Sequence, residues 1–148
     1  MRLDGKVAIV TASTRGIGLA CTQRLAREGA IVYMAARNME RAENRAKELN
    51  DEGCNVKTVY NDATEKETYT SMVEEVFKNE GRIDILVNNF GTSNPQKDLD
   101  IKNTEYDEYI RTVDINLASV FMTSQAAIPH MAANGGGSII NISSIGGL

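Results

Sequence analysis

Short apolar runs alternate with helix-like stretches along the chain, and this alternation restricts the fold more than any other feature of the sequence. Apolar runs of strand length occupy residues 6–11, 30–35, 56–60, 83–88 and 138–142. The stretches between them repeat their apolar residues at helical spacing. Strands alternating with helices form a parallel sheet with right-handed crossovers, and nearly unbroken apolar strands are typical of sheets covered on both faces. We therefore predict one doubly wound α/β domain over residues 1–148, with strand order 3-2-1-4-5, which is incomplete because the sequence stops shortly after the fifth strand.

Several predicted helices carry start and stop signals. Asn38 occupies an N-cap position, and Gly53 follows the same helix where a C-terminal cap favours glycine. Thr64 and Glu67 have the spacing of a capping box, which predicts the start of the third helix. The predicted helices span residues 16–28, 38–52, 64–80 and 104–134.

Composition narrows the class of protein. Apolar residues make up 42% and charged residues 24% of the 148 residues, which is typical of a soluble globular domain. We expect a cytoplasmic protein with no membrane partner, because the sequence has neither a membrane-length apolar run nor a secretory signal. The net charge of −4 argues against nucleic acid as a partner. Cys21 and Cys54 lack metal-site spacing and His130 is the only histidine, so we expect no metal site.

The turn between the first strand and the first helix has the features of a phosphate site. A helix that begins at the carboxyl end of a strand presents free N–H groups and a positive dipole end to a pyrophosphate. Gly16 allows close approach of the backbone to the phosphate, and Gly18 allows the helix to pack closely. Ala12 carries a Cβ atom, which restricts the backbone there mainly to negative φ. We expect the site to comprise Thr11, Ser13, Thr14, Arg15, Gly16, Ile17 and Gly18.

The residues after the second strand predict which dinucleotide binds. A site for NAD places a carboxylate near this point to accept hydrogen bonds from the ribose hydroxyls. Residues 34–37, which read MAAR, contain no acid. Arg15 and Arg37 both lie at the carboxyl edge of the predicted sheet, where guanidinium groups can bind a 2′-phosphate. The alternative is that both are solvated surface arginines. We predict NADP(H) as the cofactor of a Rossmann domain.

Two motifs identify the family that the chain resembles. The segment TASTRGIG resembles the TGxxxGxG loop of short-chain dehydrogenases/reductases, with Ala12 in place of the first glycine. NNFG, which contains Asn88 and Gly91, resembles the NNAG motif of that family, with Phe90 in place of alanine. The resemblance implies that Asn88 helps to hold the sheet edge and the cofactor, and it places Gly91 in the same site.

The resemblance also assigns roles to residues farther along the chain. Asp62, with Ala63 beside it, resembles the adenine-contacting position of the family, although Asp62 is equally suited to cap the turn before the third helix. Asn116 matches the active-site asparagine, whose backbone carbonyl orders a water in a proton relay. Ser144 matches the catalytic serine, whose hydroxyl binds the substrate oxygen and stabilises charge there.

The family's proton-transfer pair, a tyrosine with a lysine four residues later, is not found in the sequence. Tyr106 and Tyr109 lack a lysine at that spacing, and the chain ends at Leu148. We therefore expect little or no turnover from these 148 residues. If Leu148 is the true C-terminus, the alternative is a non-catalytic dinucleotide-binding module.

Within the family, segments such as KDLD and GGGSIINISSIGG look most like the clostridial 7α-hydroxysteroid dehydrogenase branch. This resemblance implies a steroid substrate and interconversion of 7α-hydroxy and 7-oxo bile acids with NADP(H). The alternative within the family is reduction of 3-oxoacyl thioesters. The family commonly forms homotetramers through its long helices, and the predicted helix over residues 104–134 is available for that contact.

Overall fold

The apolar runs form the strands of one parallel sheet, and the stretches between them form helices on both of its faces. The computed structural model describes residues 1–144. Its strands are β1 (Val7–Thr11), β2 (Ile31–Ala36), β3 (Asn55–Tyr60), β4 (Ile85–Asn88) and β5 (Ser138–Asn141). Its helices are α1 (Gly16–Arg27), α2 (Met39–Asp51), α3 (Glu67–Glu80) and α4 (Tyr106–Ala133). The sheet order is β3-β2-β1-β4-β5 with every neighbouring pair parallel, which confirms the predicted fold.

Alternate side chains of the central strand enter two separate apolar cores. Val7 and Ile9 of β1 pack with residues of α3 and α4 on one face of the sheet. Ala8 and Val10 pack with residues of α1 and α2 on the other face. All four side chains are buried, which explains why the sequence of β1 is apolar at every position rather than at every second one.

The second helix begins and ends where the sequence predicts. The side chain of Asn38 accepts a hydrogen bond from the amide of Arg41 at 2.8 Å, as an N-cap residue does. Gly53, just beyond the helix, has φ +88°, a conformation that favours glycine.

The start of α3 differs from the prediction, because Thr64 does not form a capping box with Glu67. The amide and hydroxyl of Thr64 both donate to Asp62 Oδ1, at 2.9 and 2.8 Å. The helix begins at Glu67, and the residue before it, Lys66, makes no side-chain cap. Thr68 organises the turn instead, since its hydroxyl accepts from the Asp62 amide and the Asn61 side chain at 3.1 Å each. Asp62 accepts from both donors of Thr64 because its carboxylate lies only two residues before them, the spacing of an Asx turn.

Within residues 1–144, no helix combines the length and apolar character needed to cross a membrane. The same residues contain no cluster of three or more His, Cys, Asp and Glu side chains arranged to hold a metal ion.

Candidate functional site

A cleft of about 560 Å³ opens at the carboxyl edge of the sheet. It lies where the chain leaves β1 and β4 toward opposite sides of the sheet, which is the position at which open α/β sheets bind ligands. Half of the residues predicted for cofactor binding line it: Thr14, Arg15, Arg37, Asp62, Ala63 and Gly91. The other half lie in the adjoining loop and strand ends rather than in the lining: Thr11, Ser13, Gly16, Ile17, Gly18 and Asn88.

Two buried hydroxyls fix the loop between β1 and α1. The Thr11 hydroxyl donates to the carbonyl of Val87 at 3.3 Å and accepts from the amides of Asn89 and Phe90 at 2.9 and 3.0 Å. The Ser13 hydroxyl donates to the carbonyl of Ala35 at 3.4 Å. Thr11 and Ser13 therefore hold the floor of the cleft by joining the ends of three strands.

Ala12 adopts a positive φ of +50°, contrary to the expectation of a negative value. The neighbouring hydrogen bonds of Thr11 and Ser13 fix the chain on both sides of this residue. The Asn89 side-chain amide also donates to the Ala12 carbonyl, at 3.2 Å. A strained backbone conformation persists where surrounding contacts determine it in this way.

The N-terminus of α1 faces the cleft without a side-chain cap. Arg15 occupies the N-cap position with no side-chain cap hydrogen bond, and the first turn contains no acidic residue. Such a helix end leaves N–H groups and a positive dipole end to attract an anion. Gly18 packs as closely as predicted, because a Cβ atom there would lie 2.5 Å from the Ala12 carbonyl oxygen and 2.6 Å from Asn89 Nδ2. Ile17 is 61% exposed.

The lining of the cleft is strongly basic. Arg15, Arg37, Arg41 and Arg111 line it, and among the described residues Asp62 is the only acid in the lining. Arg37 Nε lies 3.8 Å from Asp62 Oδ2, with the Arg37 side chain 74% exposed. The cleft lining therefore carries an excess of positive charge.

Asp62 both caps a turn and faces the cleft. The amide of Thr64 is the main cause of a pKa of Asp62 below its ordinary value; burial acts in the opposite direction, and the Thr64 hydroxyl and Arg37 lower it further. Both interpretations that the sequence left open for Asp62 are thus compatible with its position. Its carboxylate remains ionised at neutral pH.

Asn88 anchors the edge of the sheet. Its amide group donates to Asn141 Oδ1 at 2.9 Å and to the Ser124 hydroxyl at 3.2 Å. Its carbonyl oxygen accepts from the Thr123 hydroxyl at 2.7 Å. This buried side chain therefore joins β4 to β5 and to α4.

The two residues predicted to be catalytic do not line the cleft. The Asn116 side chain accepts from the Thr92 amide at 2.8 Å and donates to the Thr92 carbonyl at 2.7 Å, which ties the loop after β4 to α4. The Asn116 backbone carbonyl accepts from the Ser119 hydroxyl at 2.7 Å. Ser144 is exposed just beyond β5, at the carboxyl edge of the sheet.

The family model described as short chain dehydrogenase matches residues 6–148. This chain belongs to the short-chain dehydrogenase family. It is 54% identical over 145 residues to a 7alpha-hydroxysteroid dehydrogenase of Clostridium sardiniense, covering 98% of this chain and 55% of that relative. It is 49% identical over 144 residues to a 7alpha-hydroxysteroid dehydrogenase of Paraclostridium sordellii, covering 97% of this chain and 54% of the relative. The chain therefore spans about half the length of these curated relatives.

A solved structure shares the fold. The gluconate 5-dehydrogenase of Burkholderia cenocepacia J2315, crystallised in complex with NADP and tartrate, matches with a TM-score of 0.86 and 38% identity. The match covers 97% of this chain and 55% of that one.

Sequence reasoning missed two of the four arginines that line the cleft of this short-chain dehydrogenase. Arg41 carried a usable signal, because it lies one helical turn after Arg37 in a helix that starts at the same sheet edge. Arg111 carried none, since its position depends on how α4 docks. Glu108 holds the Arg111 guanidinium through both carboxylate oxygens, at 2.9 and 2.5 Å.

Proposed function

We propose that this chain forms the NADP(H)-binding part of an oxidoreductase that interconverts a secondary alcohol and a ketone. We further propose that the alcohol is the 7α-hydroxyl of a bile acid.

The basic end of the cleft is the observation that carries the cofactor assignment. β2 ends in Ala36, and the next residue is Arg37 where a site for NAD has a carboxylate. The only acid of the lining, Asp62, follows β3 and lies beside Arg37. A 2′-phosphate brings negative charge to a surface with several guanidinium groups, whereas a bare ribose hydroxyl finds no carboxylate at the end of β2.

The loop before α1 fits the pyrophosphate of such a cofactor. The uncapped helix end supplies N–H donors, and Gly18 leaves no space that a side chain could occupy. The relative crystallised with NADP supports the same assignment. When bound, a nicotinamide cofactor supplies the hydride chemistry, and the protein supplies position and electrostatics.

In this proposal, residues of the chain hold the loop and the sheet edge, bind the substrate oxygen and orient a water molecule. The Thr11 and Ser13 hydroxyls keep the loop in place, and Asn88 keeps the sheet edge in place. Ser144 binds the substrate oxygen and stabilises the charge that develops there. Asn116 orients a water molecule through its backbone carbonyl. The names of the clostridial relatives support a 7α-hydroxysteroid substrate, the class to which the proposed bile acid belongs.

Replacing Arg37 by aspartate tests the cofactor assignment. The variant Arg37→Asp removes a cation and adds the carboxylate that a site for NAD requires, so we expect it to weaken NADPH binding at least tenfold, about 1.4 kcal/mol, and NADH binding far less. Binding is measured by fluorescence titration of each cofactor. Arg24→Asp is the matched control, because Arg24 is similarly exposed but lies on α1 in an ion pair with Glu28. Equal losses for NADPH and NADH in Arg37→Asp contradict the assignment.

A substrate comparison tests the rest of the proposal. The intact protein is assayed with NADP against a 7α-hydroxy bile acid and its 7β epimer, and with NADPH against a 3-oxoacyl thioester. We expect the kcat/KM for oxidation of the 7α epimer to be much higher than the kcat/KM for the 7β epimer or for the thioester. A higher kcat/KM for the thioester identifies a 3-oxoacyl-thioester reductase instead.

A further inference from the structure

We propose that Arg41 is a phosphate-binding residue that acts with Arg15 and Arg37 to set the preference for a 2′-phosphorylated dinucleotide. The proposal rests on the assignment of the cleft to NADP(H). It adds a residue that lies outside both sequence motifs of the site and that was not among the predicted cofactor contacts.

The fold brings three guanidinium groups to one end of the cleft. Arg15 precedes α1, Arg37 follows β2, and Arg41 lies in the first turn of α2; all three line the same cleft. The Asn38 side chain fixes the backbone of Arg41 at this point by capping its amide at 2.8 Å. Arg41 is therefore held at the mouth of the cleft by the turn that joins β2 to α2.

The arginines of the cleft differ in whether their guanidinium groups already lie beside a carboxylate of the protein. Arg111 is held by Glu108, and Arg37 lies 3.8 Å from Asp62. Within residues 1–144, Arg15 and Arg41 form no ion pair. These two guanidinium groups have their charge available for a ligand, so a bound dianion need not displace a protein carboxylate from them.

The place of Arg41 in its helix also favours a negative partner. A cation in the first turn lies at the positive end of the helix dipole, which is unfavourable. Glu40 lies in the same turn and offsets the dipole, but it lies outside the cleft lining. Glu48 is paired with Arg45 at 2.7 Å. A phosphate dianion in the cleft therefore offers the Arg41 guanidinium a direct anionic partner, which no carboxylate among the described residues provides.

The experiment compares two ligands that differ only in the 2′-phosphate. Adenosine 2′,5′-bisphosphate and 5′-AMP are titrated by calorimetry into the intact protein, so binding is read without turnover. For Arg41→Gln we expect bisphosphate binding to weaken about tenfold, as for loss of one charge-assisted contact, and 5′-AMP binding to change less than about twofold. Arg41→Lys, which keeps the charge but loses the planar fork, should fall between wild type and Arg41→Gln.

Arg45→Gln is the matched control, because it removes the same charge one turn farther along α2 from a residue already paired with Glu48. We expect it to bind both ligands as wild type does. If wild type prefers the bisphosphate and Arg41→Gln retains that preference, the inference about Arg41 is wrong while the NADP(H) assignment stands. Equal weakening of both ligands also overturns it. If wild type binds the two ligands equally, the proposed function itself is wrong.

Discussion

At the scale of single residues, Ala12 shows how the site is held in a conformation that the local sequence disfavours. Its φ of +50° lies in the left-handed region, which is unfavourable by roughly 1–2 kcal/mol for a residue with a Cβ atom. The hydrogen bonds of Thr11, Ser13 and Asn89 around it impose that conformation. The loop is thus formed by tertiary contacts and not by the preference of Ala12.

Replacing Ala12 by glycine should therefore stabilise the protein. Glycine adopts positive φ without the steric penalty, although it loses more entropy on folding. We expect Ala12→Gly to raise the free energy of unfolding by about 0.5–1 kcal/mol, because the relief of roughly 1–2 kcal/mol of strain exceeds the roughly 0.5–1 kcal/mol that the extra entropy of glycine costs. Urea unfolding measures it. The control Ala20→Gly, at an exposed interior position of α1, should lower the same free energy by about 1 kcal/mol. A lower stability of Ala12→Gly contradicts the argument.

Single residues also show where sequence reasoning succeeds and where it fails. The cap by Asn38 and the packing of Gly18 could be predicted, because both depend on neighbours close in the chain or on a missing side chain. The partner of Thr64 could not. Its amide and hydroxyl both donate to Asp62, and this pairing depends on Asp62 being held at the end of β3.

At the scale of elements, contacts at both ends of β1 and β4 hold the strands that carry the site. At the carboxyl end, Thr11 joins the two strands. At the amino end, Asp84 accepts from the amide of Val7 at 3.0 Å, from Lys6 at 3.0 Å and from Arg82 at 2.8 and 2.6 Å. β4 starts two residues later than predicted, and the backbone of Asp84 just before it already bonds to Val7 and Ser138.

The pKa of Asp84 links this contact to the pH dependence of stability. Burial raises the pKa, but the hydrogen bonds from Arg82, Val7 and Lys6 outweigh burial and bring the pKa well below its ordinary value. A carboxyl group with a lowered pKa in the folded state stabilises the fold above its unfolded pKa of about 3.9. That stabilisation is lost as the pH falls from there toward the folded-state pKa.

Replacing Asp84 by asparagine should remove this contribution. We expect Asp84→Asn to lower the free energy of unfolding at pH 7 by about 2 kcal/mol, since a buried charge-assisted network loses its acceptor. The difference from wild type should stay constant above about pH 5 and narrow below about pH 4. Urea unfolding at a series of pH values measures both effects. Asp4→Asn, at an exposed position, is the control and should change neither. A difference that is independent of pH rules out the carboxylate as the cause.

At the scale of the whole molecule, the order of the strands could be predicted because alternation and handedness leave few arrangements of a parallel sheet. The shape of the cleft could not be predicted from the sequence, because it depends on where α4 and the loop after β4 pack against the sheet. Asn116 shows this: its side-chain amide holds Thr92, which lines the cleft, through contacts between residues 24 apart in the chain. No local pattern specifies such a pairing.

The outer surface of α4 exposes several large apolar side chains. Its buried positions carry small or polar side chains such as Ser119, Thr123 and Ala127, whereas the large apolar side chains face outward. Leu117 is 63% and Phe121 64% exposed. Exposed apolar surface of this kind marks interaction sites in soluble proteins. We propose that a second copy of the protein covers it, as the family resemblance implies.

A charge placed in this surface should therefore break the assembly without changing the fold. We expect the intact wild-type protein to have the molar mass of a tetramer by light scattering after size exclusion, and Phe121→Glu to have a lower mass, since an unpaired charge in an apolar interface is strongly unfavourable. Asn44→Glu adds the same charge at an exposed position of α2 and should remain tetrameric. Circular dichroism should show unchanged helix content in both variants. A wild-type monomer, or a Phe121→Glu tetramer, means that α4 is not the interface.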